Sequence, residues 1–164
     1  MATKISALSA NTTPADADYI PMVDAGTVTT ERITFANMRK ITPQCFIIAC
    51  SDETTVLSTA STTVPFATFR MPYAFTITDV RASLRTAGTG AALITVDIHE
   101  SGTTILSTKI TIDATEKTST TAATAPVISD TSLADDALIE LFLDQRDTNN
   151  VATGLKVTII GYKT

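Results

Sequence analysis

The feature that most restricts the fold is a two-residue apolar rhythm recurring through the last three quarters of the chain. In Leu93–Glu100 (LITVDIHE), Ile94, Val96 and Ile98 alternate with Thr95, Asp97 and His99. A strand sends successive side chains to opposite faces, so such a segment has one apolar face and one wet face. Ser101-Gly102 turns the chain and Thr104–Ile112 (TILSTKITI) returns, which predicts a hairpin. Tyr73–Arg85 repeats the rhythm, setting Val80, Ala82 and Leu84 against Arg81, Ser83 and Arg85. Cys45–Cys50, Leu138–Asp144 and Leu155–Tyr162 add three more candidates, with Gly161 marking a bulge or a close backbone approach. Thr63–Phe69 adds another, but Pro65 confines it to an edge or a strand start.

About eight short strands at roughly ten-residue spacing, with almost no helical period, predict two packed sheets. The polar stretch Asp113–Thr124 is too long for a tight turn and suits a crossover between sheets. The expected fold is all-β, a jelly-roll-like two-sheet β-sandwich over residues 44–164, preceded by an extended N-terminal arm over residues 1–43. Composition agrees. Of 164 residues 33 are threonine, a β-branched residue that fits a half-wet pleated surface, and 44% are apolar, enough for a core.

The arm is patterned differently. Asp24-Ala25-Gly26 reads as a turn, the residues around Ile33 as a short strand, and Thr34–Lys40 as a short helix capped by Thr34 and stopped by Pro43. Its apolar residues are too few to bury a core, so it needs another surface. Ile20, Met22, Val23, Phe35 and Met38 are the candidates for contact with a partner.

A net charge of −5 without a basic cluster argues against nucleic-acid binding. The opening MATKISALSANTT has no apolar run of the kind a signal peptide needs, and no membrane span is expected. Cys45 and Cys50 sit on opposite faces if their segment is a strand, which disfavours a mutual disulfide and leaves two buried or half-buried thiols.

Candidate chemistry is sparse. His99 and Asp97 share a strand face, but a metal site needs a third ligand, and an exposed strand pair accounts for both. Asp130, Asp135, Asp136, Asp144 and Asp147 flank a strand without calcium-loop spacing, so solvated turn aspartates are expected and a bound cation stays open. No nucleophile elbow or phosphate loop is present; AGTGAA at 87–92 is a turn. Neither catalysis nor a cofactor is expected.

The opening KISALSANTTPADADYIPMVDAGTVTTERITFANMRK resembles the N-terminal segment of many structural proteins of tailed bacteriophages. It shares an Ile-Ser-Ala-Leu start, an Asp-x-Ile-Pro-x-Val core and a closing Ile-Thr-Phe-Ala-Asn-Met. The segments from FRMPYAFTITDVRASL to ATGLKVTIIGYK are similar to small β-sandwich modules of such virion proteins. The resemblance implies a virion component assembled in the host cytoplasm, a homo-oligomer that is often a trimer, and no catalytic motif. Its partner is then the major capsid protein or another virion protein.

Two functions fit. A short chain without a repeated shaft suits a capsid decoration (cement) protein anchored by residues 1–43. The alternative is a tail-fibre or receptor-binding component. It would recognise a host surface glycan or protein through loops near Ala87–Ala92 and Gln145–Thr153, with Tyr73, Phe142 and Tyr162 available to stack on a sugar.

Overall fold

The computed structural model describes residues 12–23, 26 and 30–164. Of the expected Asp24-Ala25-Gly26 turn, Asp24 and Ala25 lie outside the described residues. The chain divides into two compact units, Met1–Thr42 and Pro43–Thr164.

The first unit is not an extended arm. Strands β1 (Tyr19–Val23) and β2 (Thr30–Thr34) pair antiparallel, with Tyr19 opposite Thr34 and Val23 opposite Thr30, and helix α1 (Phe35–Ile41) follows at once. Thr34 caps the helix: its hydroxyl accepts from the Asn37 N–H at 3.2 Å. Arg39 reaches back and donates to both carboxylate oxygens of Asp16 (2.6 and 2.5 Å). Local hydrogen bonds, rather than a core, bend this segment into a hairpin and helix. None of its described residues is buried.

The second unit contains β3 (Gln44–Ala49), β4 (Ala67–Arg70), β5 (Phe75–Ser83), β6 (Ile94–Glu100), β7 (Thr103–Thr104), β8 (Leu106–Thr108), β9 (Ile110–Ile112), β10 (Val127–Ile128), β11 (Ser132–Leu133), β12 (Leu138–Gln145) and β13 (Lys156–Lys163). One sheet has the order β11-β5-β13-β3; the other is β4-β12-β6-β7, with β9 also on β6. All the ladders are antiparallel.

Take β3, β4, β5, β6, β7–β9, β11, β12 and β13 as first to eighth. One sheet then runs first-eighth-third-sixth and the other second-seventh-fourth-fifth. This interleaving of two Greek keys is a jelly roll. The fold is an all-β sandwich.

The core lies between the sheets. Ile94, Val96 and Ile98 of β6 and Ile139, Leu141 and Leu143 of β12 face Phe75, Ile77, Val80 and Ala82 of β5 and Val157 and Ile159 of β13. The inward parity of β5 changes between Ile77 and Val80. A register shift against β13 at Ile160/Gly161 absorbs the extra residue. At Gly161 a Cβ would collide with the Thr76 carbonyl, so only glycine allows the strands to approach there.

Ser101 (φ 50°) and Gly102 (φ 85°) form the tight hairpin turn between β6 and β7, where both central residues need positive φ. The returning strand is broken, however. Ile105 and Leu106 are adjacent and both buried, which one continuous strand with a single apolar face does not allow. The chain therefore steps off the β6 ladder as β8, pairs with β10, and rejoins β6 as β9.

Cys45 lies on β3 and Cys50 directly follows its last residue. Cys50 is buried, and burial pushes its thiol up to about 12. Cys45 is exposed, contrary to expectation, because β3 is an edge strand and its outer face meets solvent.

Candidate functional site

Three places bring the sequence-predicted residues together. The first is the N-terminal unit. Cross-strand pairing sets Ile20 opposite Ile33 and Met22 opposite Glu31, so Ile20 and Met22 share one face of the hairpin. Val23 lies on the other face with Tyr19 and Pro21, where the Arg32 guanidinium sits 4.8 Å from the Tyr19 ring centroid. Ile20, Met22 and Val23 are all exposed (41, 44 and 65%), and Phe35 and Met38 on α1 are half-buried. Ile20 and Phe35 also line a groove of about 450 Å³ with Pro14, Ala17, Asp18 and Tyr19. The five candidates thus divide between two hairpin faces and a helix, and only Ile20 and Phe35 share the groove.

The second place is one end of the sandwich. The loops 87–92 and 145–153 are far apart in sequence but interlock. Asp147, 1% exposed, accepts from the Val151 N–H (3.0 Å) and more distantly from those of Ala152 and Thr89 (3.4 Å each). Thr148 accepts from the Ala92 N–H (3.2 Å), and the Asn149 amide donates to the Thr89 hydroxyl (3.0 Å). Gly88 lets the loops close: a Cβ there would lie 2.6 Å from the Asp147 Cβ. A buried carboxylate needs hydrogen bonds to offset its desolvation, and here backbone N–H groups supply them. The result is one preorganised tip. Sequence reading named both loops but counted Asp147 among solvated aspartates, and no local pattern signals that it is a hub.

The third place is the outer face of β6. Asp97 is 2% exposed, which corrects the expectation of an exposed strand pair. Thr104 and Lys109, from the two ends of the detour after the hairpin, close over it. Asp97 accepts from Thr104 Oγ1 (2.6 Å) and Lys109 Nζ (3.0 Å) and lies 3.1 Å from His99 Nε2. Lys109 also pairs with Asp144, which sits at a register shift in β12. Burial raises the Asp97 carboxyl, but hydrogen bonds from Thr104, Lys109 and His99 outweigh it and leave the group below the usual carboxylate range. The Asp144 hydrogen bond, followed by Asp97, holds the Lys109 ammonium above its ordinary value. The third partner of the pair is a cation, which suits a closed ion-pair network rather than a ligand set. Among the described residues no group of three or more His, Cys, Asp and Glu side chains is placed to hold a metal ion.

The acidic residues around β12 do not cluster. Asp144 serves Lys109, Asp147 the tip, Asp136 pairs loosely with Arg70 (3.7 Å), and Asp130 caps the Ser132 N–H. Nor are the three aromatics equally available for stacking on a sugar. Phe142 is buried beside His99 (centroids 4.5 Å apart), and Tyr73 packs against Phe46 and Phe75. Tyr162 is half-buried. Among the described residues no helix is long and apolar enough to cross a bilayer.

No family model and no curated protein matches the chain. Among solved structures, it is similar to a chain in the structure of infectious bursal disease virus Gx strain, at 10% identity and a TM-score of 0.30. The match covers 90% of this chain and 42% of that one. The superposition is too loose to carry a family or a function.

Proposed function

We propose that the chain is a non-enzymatic structural protein of a virion, specifically a capsid decoration (cement) protein docking on the head through its N-terminal unit. The observation that carries this reading is a hairpin apolar on both faces whose unit buries none of its described residues. A two-stranded hairpin is marginal in water, and a contact surface both covers and orders it. The sandwich behind it has its own core and can be carried by such an anchor. The likeness of the opening phrases to structural proteins of tailed bacteriophages supplies the setting: a virion, with the major capsid protein as partner.

The test is binding to heads that lack the protein. Ile20→Asp with Met22→Asp changes two exposed side chains, so the sandwich should unfold as before while head binding falls at least tenfold. The same loss is expected on removing residues 1–42. Full head occupancy by either variant would overturn the anchoring role.

A second reading is favoured by the Asp147-centred tip, because a rigid pair of loops at a sandwich end is a natural recognition surface. In a tail-fibre or receptor-binding component, Thr148→Ala with Asn149→Ala would abolish adsorption to host cells. Unchanged adsorption removes that reading.

A further inference from the structure

The four free edges of the two sheets are not alike. β4 has four residues and ends on Arg70; β11 has two; β7 has two before the chain steps away to β8. Short, charged or broken edges keep a sheet from pairing with another chain. β3 has none of these features. Its six residues, QCFIIA, carry no charge and no proline, and they run in unbroken register along β13.

The ladder also shows which groups β3 leaves open. The Cys50 N–H donates to the Leu155 carbonyl (2.8 Å), which makes Cys50 and Leu155 a hydrogen-bonded pair. By the alternation of an antiparallel ladder, Ile48, Phe46 and Gln44 then bond to β13, and Cys45, Ile47 and Ala49 direct N–H and C=O outward. Among the described residues no strand takes up that side. Ile47 is 66% exposed beside it. Phe46 and Ile48 face the core but are only half-buried, unlike the buried Val157 and Ile159 of the neighbouring β13.

We propose that β3 pairs antiparallel with β3 of a second copy of this chain, about a two-fold axis at Ile47, so that one sheet runs through both sandwiches. With Ile47 opposite Ile47 and Cys45 opposite Ala49, every outward N–H and C=O of both strands finds a partner. A one-residue slip turns these groups away from each other. The outward groups of β3 are centred on Ile47 and are self-complementary about that axis, so a second copy of the same uncharged strand satisfies them. A two-fold contact of this kind closes on itself and needs no other component. It stands independently of the head-docking role, and it differs from the three-fold assembly that the phage resemblance implies.

Light scattering on the full chain tests it. The expected result is a dimer, or an assembly of dimers, at micromolar concentration. Ile47→Lys should be monomeric with an unchanged circular dichroism spectrum. Ala49→Cys should cross-link to Cys45 of the other copy under mild oxidation. Within one strand those positions are about 13 Å apart, as are the two native Cys45 residues across the axis, so the native chain should not cross-link. A monomer, a trimer, an oligomer that survives Ile47→Lys, or an Ala49→Cys chain that stays uncross-linked would each overturn the pairing.

Discussion

The two units use the same vocabulary of threonine, isoleucine and short strands, yet one has an interior and the other buries none of its described residues. The sandwich buries Phe75, Ile98, Ile139, Leu141 and Val157 between sheets whose ladders join residues distant in sequence. The N-terminal unit is held by what lies nearby: the β1–β2 ladder, the Thr34 cap, the Asp16–Arg39 pair and Arg32 over Tyr19. Exposed ion pairs contribute roughly 0–1 kcal/mol each, and isolated helices far longer than α1 are marginal. Such a unit has a shape set by contacts between residues near one another in sequence.

Truncating one aromatic ring in each unit separates the two most strongly. Phe75 is 0% exposed and packs edge-on against Phe46 at 5.1 Å. Phe75→Ala should lower the unfolding free energy of the sandwich by about 3–5 kcal/mol, read from the urea midpoint. Phe35→Ala removes a half-buried ring from a unit with no buried side chain among its described residues, and should leave that midpoint in place. A loss of more than about 1 kcal/mol for Phe35→Ala would show that the first unit shares the sandwich core.

A smaller effect comes from the polar network on the outer face of β6. Asp97→Asn keeps the shape but leaves Lys109 with Asp144 alone, and should cost about 1–3 kcal/mol at neutral pH. The sign of its pH dependence follows from the carboxyl being held low in the fold. A depressed carboxylate stabilises fully above its unfolded value, near pH 4, and that contribution disappears as pH falls through the folded value. The native chain should therefore lose stability below about pH 4 more steeply than Asp97→Asn, as read from urea midpoints between pH 7 and pH 3. Parallel acid limbs would mean that the network contributes nothing through its charge.

Much of the sandwich was legible because alternation is a local signal. Ile94-Val96-Ile98 shows which face of β6 is inside, and Ser101-Gly102 marks its turn. Asp113–Thr124 suggested a crossover, and the chain does pass from the β9 side of one sheet to β11 in the other. What stayed hidden depends on partners far along the chain. TILSTKITI reads as a single strand until β10, about twenty residues later, captures Leu106–Thr108. The same detour brings Thr104 and Lys109 over Asp97, so a carboxylate on a nominally wet face is buried. Asp147 and the open edge of β3 were invisible for the same reason: a buried acid hub and an unpaired strand are defined by neighbours. In the first unit, by contrast, the Thr34 cap was readable because its partner, Asn37, is three residues away.

That cap supplies the smallest effect and the finest test of the contrast. Thr34 Oγ1 accepts from the Asn37 N–H, one of the first amides of α1, which have no carbonyl partner within the helix. Thr34→Ala should cost about 1 kcal/mol of local helix stability. Because α1 contributes no buried side chain, the loss should not reach the sandwich transition. It should appear as amide exchange at Asn37 roughly fivefold faster, the factor that about 1 kcal/mol gives for a local opening equilibrium. Exchange at Val157 and Ile159, inside the β13 ladders, should not change. On the proposal that the first unit docks on a virion partner, the opening of α1 would be coupled to release, and the fivefold difference at Asn37 should shrink in the complex. If free and bound protein show the same difference, the helix is not ordered by what it binds, and the stability of the first unit is its own.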